Sequence, residues 1–425
     1  MDRHADIQRR RGSVPQVDRP TPWQRIWRRF WALPFAIVIG ALLLAWLLPW
    51  LDQHVSTKMP LLFEGGPDGA RSLLSTIASA MISVTGLVFS ITMVVLQLAQ
   101  SQFTPRLLDS FLQNRVTQTT LGVFTASFVY ALAVLRTVRG ANSGGQDFVP
   151  QLSVSAAFLL VLAAVAMFIA FIHNITTSVQ IATVVDRVGG RAAELVTEQF
   201  GEPEDEAIGF GATWSPYEGE ARTALVTTGR HGTLDHLDLP RLVALARKHD
   251  VVVHLDVCLG DFIASGQQVG TLWGSDDLDR DVIASFDRTL GMARTRTMTQ
   301  DISFGLRQLV DIAERALSPS MNDPTTAVQV LDELHALLRE VALRRSISPY
   351  IADADHVVRV VHRPPRFADL LDLAVDEILH YGKDGIQVPR KLEGMLGDLQ
   401  ATARPEHRAP IQAKLAQVRA VCDRP

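Results

Sequence analysis

Between residues 31 and 172 the chain runs in long apolar blocks separated by short polar ones. The blocks are WALPFAIVIGALLLAWLLPWL (31–51), SLLSTIASAMISVTGLVFSITMVVLQL (72–98), TQTTLGVFTASFVYALAVL (117–135) and QLSVSAAFLLVLAAVAMFIAFI (151–172). None contains Asp, Glu, Lys or Arg. A bilayer core of roughly 30 Å is crossed by about 20 apolar residues in a helix, so the pattern predicts four transmembrane helices. The first block is too long for a signal peptide's apolar region, follows a thirty-residue tail and precedes no small-residue cleavage site, so it is expected to remain as a span.

The second block departs from plain hydrophobicity. At about 100° per residue, Ser72, Ser79, Ser83, Gly86, Ser90, Gln97, Ser101 and Thr104 fall close to one line along the helix, with Ser75 about 60° to its side. Met93 and Val94 interrupt the row. Two readings of this polar seam stand together. Small residues let helices approach closely in lipid. A hydroxyl-lined face ending in an amide and then in Arg106 and Asp109, at the expected cytoplasmic mouth, suits the wall of a water-filled path in an oligomer. No carboxylate or histidine lies inside the spans, which argues against a proton relay or an intramembrane protease.

Beyond residue 175 the periods shorten. Residues 176–200 keep a helical pattern, with Gly189 and Gly190 as a candidate break or hinge. Residues 223–238 and 251–274 alternate like strands between turn glycines, with a helix expected over 240–250. The stretch GDFIASGQQVGTL (260–272) is similar to the turn–strand–turn element of barrel-sandwich domains, although no lysine suited to carry a prosthetic group accompanies it. From residue 281 onward amphipathic helices dominate. In SPSMNDP, Asp323 is placed to cap the next helix and Pro324 to open it. The predicted fold class is therefore membrane α-helical, with four transmembrane helices, plus a cytoplasmic α+β region. The expected domains are a basic tail (1–30), the membrane domain (31–175), a connecting helix (176–200), a small β-rich domain (201–280) and a helical domain (281–425).

Charge refines this picture at three points. The tail carries eight arginines against three aspartates, a balance of +5, which places both termini in the cytoplasm by the positive-inside rule. The whole chain has a net charge of −4 over 425 residues, which gives no reason to expect a nucleic-acid partner. Its two cysteines, Cys258 and Cys422, support neither a disulfide framework nor a metal motif.

Candidate chemistry in the soluble part is sparse. Arg294, Arg296, Gln300, Asp301, Arg307 and Asp311 form a dense polar group that suits either an anion such as phosphate or a salt-bridge network between helices. His231, Asp235, His236, Asp238, His249, Asp250, His254 and Asp256 cluster in sequence, but their spacing matches no ligand motif, so no metal is expected. No nucleophile elbow, phosphate loop or paired carboxylate motif is present, so neither enzymatic activity nor a cofactor is expected.

The pairing of VTGLVFSITMVVLQLAQSQFTPR (84–106) with TQDISFGLRQLVDIAERALSPSMNDPTTA (299–327) resembles a domain-of-unknown-function family of predicted bacterial membrane proteins, over most of the chain. The resemblance implies a bacterial inner-membrane location and carries no activity with it. The expected function is a homo-oligomeric ion channel or small-solute pore, lined by the seam and regulated by the cytoplasmic part. The alternative is a membrane-anchored sensor or scaffold. The expected partners are the lipid bilayer, further copies of the chain, and ions or small solutes.

Overall fold

The computed structural model describes residues 30–54, 65–102, 115–139, 148–178, 180–200, 213–217, 219–227 and 229–422, with the side chains of 53, 54, 98–102 and 178 outside that description. Residues 1–29 of the basic tail, as well as Thr104, Arg106 and Asp109, lie outside it too. The chain divides into two compact units, Arg19–Thr183 and a second that contains Val184–Pro425.

Among its described residues the first unit holds four helices long and apolar enough to cross a membrane: α1 (Ala32–His54), α2 (Pro67–Gln102), α3 (Arg115–Leu135) and α4 (Gln151–Ser178). Helices are the natural solution there, because lipid offers no partner to an unpaired backbone group. The 36 residues of α2 extend over about 54 Å at 1.5 Å per residue, well beyond the bilayer core. Its first residues are Pro67 and Asp68, a proline and an acid where a helix start favours both. The third span, the least apolar of the four, is the hub, packing against α1, α2 and α4. Half of its apolar stretch is buried in the protomer, against 11% for α2. At Gly122 of α3 an added Cβ would lie 3.1 Å from the Pro34 Cα of α1, so a small residue is what allows the two backbones to approach. Leu74, Met81, Val88, Phe124, Tyr130 and Phe171 fill the centre of the bundle.

The second unit begins in α5 (Ile181–Phe200), whose buried stripe of Val184, Val188, Ala192, Leu195 and Val196 gives it one packing face. It continues through β1 (Arg222–Val226), β2 (Gly232–Leu237), α6 (Leu239–Lys248), β3 (Val252–Leu255), β4 (Phe262–Ile263), β5 (Gln268–Trp273), α7 (Arg280–Asp287) and β6 (Leu290–Ala293). Then come α8 (Ile302–Leu317), α9 (Pro324–Leu343), β7 (Tyr350–Ala352), β8 (Val358–Val361), α10 (Phe367–Gly382), α11 (Gln387–Thr402) and α12 (Pro405–Cys422).

The strands form two sheets, β1-β5-β3-β8-β7 and β4-β2-β6. Leu225, Leu234, Val253, Leu255, Leu272, Phe286 and Val360 are among the residues of their shared core. The strands β4 and β5, adjacent in GDFIASGQQVGTL, go to different sheets. The segment 281–425, expected to be dominated by helices, also supplies β6, β7 and β8, and β8 pairs in parallel with β3 about a hundred residues earlier. Sheets and helices therefore interleave along the chain. A parallel pair needs a long crossover, which α7 to α9 provide.

The helix starts follow the chemistry of their caps. Asp301 accepts from the Phe304 N–H at 3.1 Å and Asp323 from the Thr326 N–H at 3.1 Å. Gly189 and Gly190 do not break α5, which runs through both. Gly189 instead makes room for a neighbour: the side chain of Glu333 on α9 lies where its Cβ would be.

Candidate functional site

The buried stripe of α2 is Leu74, Ile77, Ala78, Met81 and Val88. At about 100° per residue this stripe is centred roughly 180° from the polar seam. The seam accordingly points away from the other described helices of its unit: Ser72, Ser75, Ser79, Ser83, Gly86, Ser90 and Gln97 are all exposed. A Cβ added at Gly86 would meet nothing within 4 Å. The side chain of Ser101 lies outside the described residues. Part of the seam's polarity is returned to its own helix, since the Ser83 hydroxyl donates to the Ser79 carbonyl at 3.0 Å and that of Thr76 to Ser72 at 2.8 Å.

The polar residues of α3 face the other way. Thr117, Gln118, Thr120 and Ser127 are buried inside the protomer. Thr120 donates to the Val116 carbonyl at 2.8 Å and lies 3.4 Å from that of Met167 on α4. Ser127 repeats the arrangement with Val123 at 2.8 Å and Leu160 at 3.5 Å. Tyr130, fully buried, donates its hydroxyl to the Ser153 carbonyl at 2.9 Å. Asp52, at the end of α1, accepts from the N–H groups of Leu152 and Ser153 at 3.0 and 3.2 Å and from the Ser153 hydroxyl at 2.9 Å. It thus caps α4 from another helix, with its negative charge at the positive end of the α4 dipole. Near the same end of the bundle Arg71 of α2 donates to the Val138 carbonyl at 3.2 Å. The pattern alone placed Asp52 in a connecting loop; only its distant partner shows the capping role.

The six polar residues singled out in the second unit divide into two groups. In the first, Arg296 bonds Asp301 at 2.6 Å and lies over the Phe304 ring, 5.4 Å from its centroid. Gln300 beside it holds β2 like a strand partner: it accepts from the Leu237 N–H at 2.8 Å and donates to the Leu237 carbonyl at 3.3 Å. In the second group Arg307 meets Asp311 at 2.6 Å, Glu314 at 3.0 Å and Glu377 of α10 at 2.6 Å. Arg294 is exposed.

Glu314 and Glu377 were not legible from spacing, because one lies seven residues from Arg307 and the other seventy. Burial, and then the hydrogen bond with Glu377, pushes the Glu314 carboxyl up to about 7. Arg307 holds that of Glu377 down at about 2. The hydrogen bond to Glu377 likewise raises the Arg307 guanidinium above its ordinary range. A guanidinium already surrounded by three carboxyl groups is poorly placed to receive an anion, and the arrangement pins α8 to α10.

The histidines and aspartates of the β-rich part are dispersed. Asp250 pairs with Arg359 at 2.8 Å, Asp235 accepts from the Thr297 hydroxyl at 2.5 Å, and His254 lies 3.2 Å from Asp256. A cleft of about 540 Å³ opens between α6 and the β7–β8 hairpin. Two of its charged residues have partners, Arg247 with Asp355 at 2.6 Å and Asp353 with Arg359 at 2.8 Å.

Four apolar spans followed by a sheet-containing region and a helical C-terminal part define the class of a multi-span membrane protein with a large second unit. The chain belongs to the family described as "Predicted membrane protein (DUF2254)", whose model matches residues 27–398. It is similar to the uncharacterized protein Rv1290c of Mycobacterium tuberculosis and the uncharacterized protein Mb1321c of Mycobacterium bovis. Each is 33% identical over 371 residues, covering 84% of this chain and 69% of the relative. No solved structure matches.

Proposed function

We propose that the protein is a homo-oligomeric ion channel or small-solute pore of the bacterial inner membrane, without enzymatic activity and with both termini in the cytoplasm. Its path is lined by the outer face of α2 and controlled by the water-soluble part. The observation that supports this reading is the placement of the seam opposite the packing face of its own helix. Hydroxyls and an amide turned toward lipid are unfavourable unless paired or wetted. Among the described residues nothing covers Ser79, Gly86, Ser90 or Gln97. The occupant that suits them is the same face of further copies. Ser75, Ser79 and Ser83, and then Gly86 and Ser90, recur every four residues, the spacing that lets helices approach closely in a bilayer. The described wall is neutral, so discrimination among solutes falls to its width, to Gln97 and to charges at the mouths.

A second reading keeps the oligomer and removes the path: a membrane-anchored sensor or scaffold. The hydroxyls of Thr76 and Ser83, which bond their own helix, favour it, because a hydroxyl satisfied in this way tolerates a dry interface.

The deciding experiment is potassium and chloride flux from proteoliposomes containing the full chain, with Ser90→Leu and Gln97→Leu beside the wild type. The pore reading expects wild-type flux that the two substitutions reduce while the oligomer persists. Absence of flux, with variants that fall apart into protomers, would leave the scaffold.

A further inference from the structure

The seam is broken at one level. Ser90 and Gln97 are separated by seven residues, about 10 Å of helix rise. On the turn between them the outer face carries Met93 and Val94, which are 44% and 53% exposed. At about 100° per residue they stand roughly 60° and 40° to either side of the seam line and so straddle it. Every other described turn of the seam offers Ser, Gly or Gln. We propose that Met93 and Val94 form an apolar collar that gates the path. The proposal rests on the pore reading.

In a closed ring of copies the same residue of each chain stands at the same depth. One level of the wall is then a ring of thioethers and isopropyl groups, between hydroxyls on one side and amides on the other. A constriction of that chemistry loses its water and blocks ions without any plug. The two residues divide the work by stiffness. Val94 is branched at Cβ and holds essentially one rotamer in a helix, so it sets the diameter. Met93 has an unbranched, flexible side chain that moves aside when the helices rotate or separate slightly. Gln97, directly beyond the collar, supplies donors and acceptors that hold water at its edge. Neither Met93 nor Val94 packs in the protomer core, so their chemistry is available for change without disturbing the fold.

The test is potassium flux from proteoliposomes of the full chain, comparing wild type with Met93→Ser and Val94→Ser. Phe89→Ser is the control, since Phe89 is 57% exposed on the same helix but about 100° away from the seam. Wetting the collar is expected to raise resting flux on the order of tenfold, the effect of lowering a barrier by about 1.36 kcal/mol, while Phe89→Ser leaves it unchanged. An equal rise in all three variants would mean non-specific leak and overturn the gate. Wild-type flux as high as that of Val94→Ser, and still sensitive to Ser90→Leu, would overturn the gate and leave the pore standing. No flux in any variant, with Ser90→Cys copies that do not cross-link, would remove the pore and the gate with it.

Discussion

The carboxylate of Asp52 accepts hydrogen bonds from both the backbone N–H and the hydroxyl of Ser153, 101 positions further along the chain. A cap supplied by another helix does two tasks at once: it closes the start of α4 and ties the end of α1 to it. Asp52→Ala is expected to destabilise the membrane unit by about 1–2 kcal/mol, the usual loss for an N-cap. Asp52→Asn retains an acceptor and should lose less. Thermal unfolding of the detergent-solubilised full chain, read by intrinsic fluorescence, distinguishes the two; equal losses would assign the effect to charge alone.

Stability should also depend on pH through Glu314. Its carboxyl is held near 7 in the fold, above the ordinary value of about 4.3. The native state therefore favours the protonated form, and the stability this provides is complete at acidic pH and lost as pH rises toward and through about 7. Glu377 acts in the opposite sense, because its lowered value contributes stability that is lost only in strong acid. Glu314→Gln, permanently neutral, should lack the part of the wild type's decline that falls between about pH 4.3 and about pH 7. Parallel melting curves for the two proteins would contradict the assignment.

Two adjacent glycines of α5 should respond oppositely to alanine. Gly190 faces open space, so Gly190→Ala gains helix propensity, about 0.5–1 kcal/mol of stability. Gly189→Ala drives a methyl group into the Glu333 side chain and should destabilise by about 1–3 kcal/mol unless that side chain swings out. Chemical denaturation of each variant reads the sign directly. Restoration of Gly189→Ala by Glu333→Ala would confirm the contact.

Leucine in place of serine should separate the inner polar face from the outer one. Ser127→Leu, in the centre of the bundle, overfills a packed site and is expected to lower stability by about 1–3 kcal/mol. Ser79 is exposed among the described residues, so Ser79→Leu should leave the unfolding of the protomer unchanged while altering association between copies. Unfolding in denaturant and size in detergent report the two effects separately.

How far these features were legible follows from the range of the interactions behind them. The four spans are local runs of apolar residues, and the Asp323 cap with Pro324 is a three-residue device, so both could be read directly. The polar line on α2 was legible as a line; that it faces outward depends on where Leu74, Met81 and Val88 find partners, and those partners lie on other helices. The strands β7 and β8 are only three and four residues long and sit between helices, and β8 is completed by β3 from far upstream. Glu377 joins Arg307 for the same reason: spacing along a helix reveals Asp311 and nothing from α10.

The central position of α3 has a consequence for how the membrane unit is made. Its polar groups meet acceptors on α4, where Tyr130 finds the Ser153 carbonyl and Thr120 and Ser127 approach those of Met167 and Leu160. During synthesis α3 emerges before α4 exists, and it is the least apolar of the four spans. Left alone in the bilayer it would keep the hydroxyls of Thr120 and Ser127 on carbonyls of their own helix but would leave that of Tyr130 without the Ser153 carbonyl. The fourth span is therefore what completes the third, through a hydroxyl that its own helix does not satisfy.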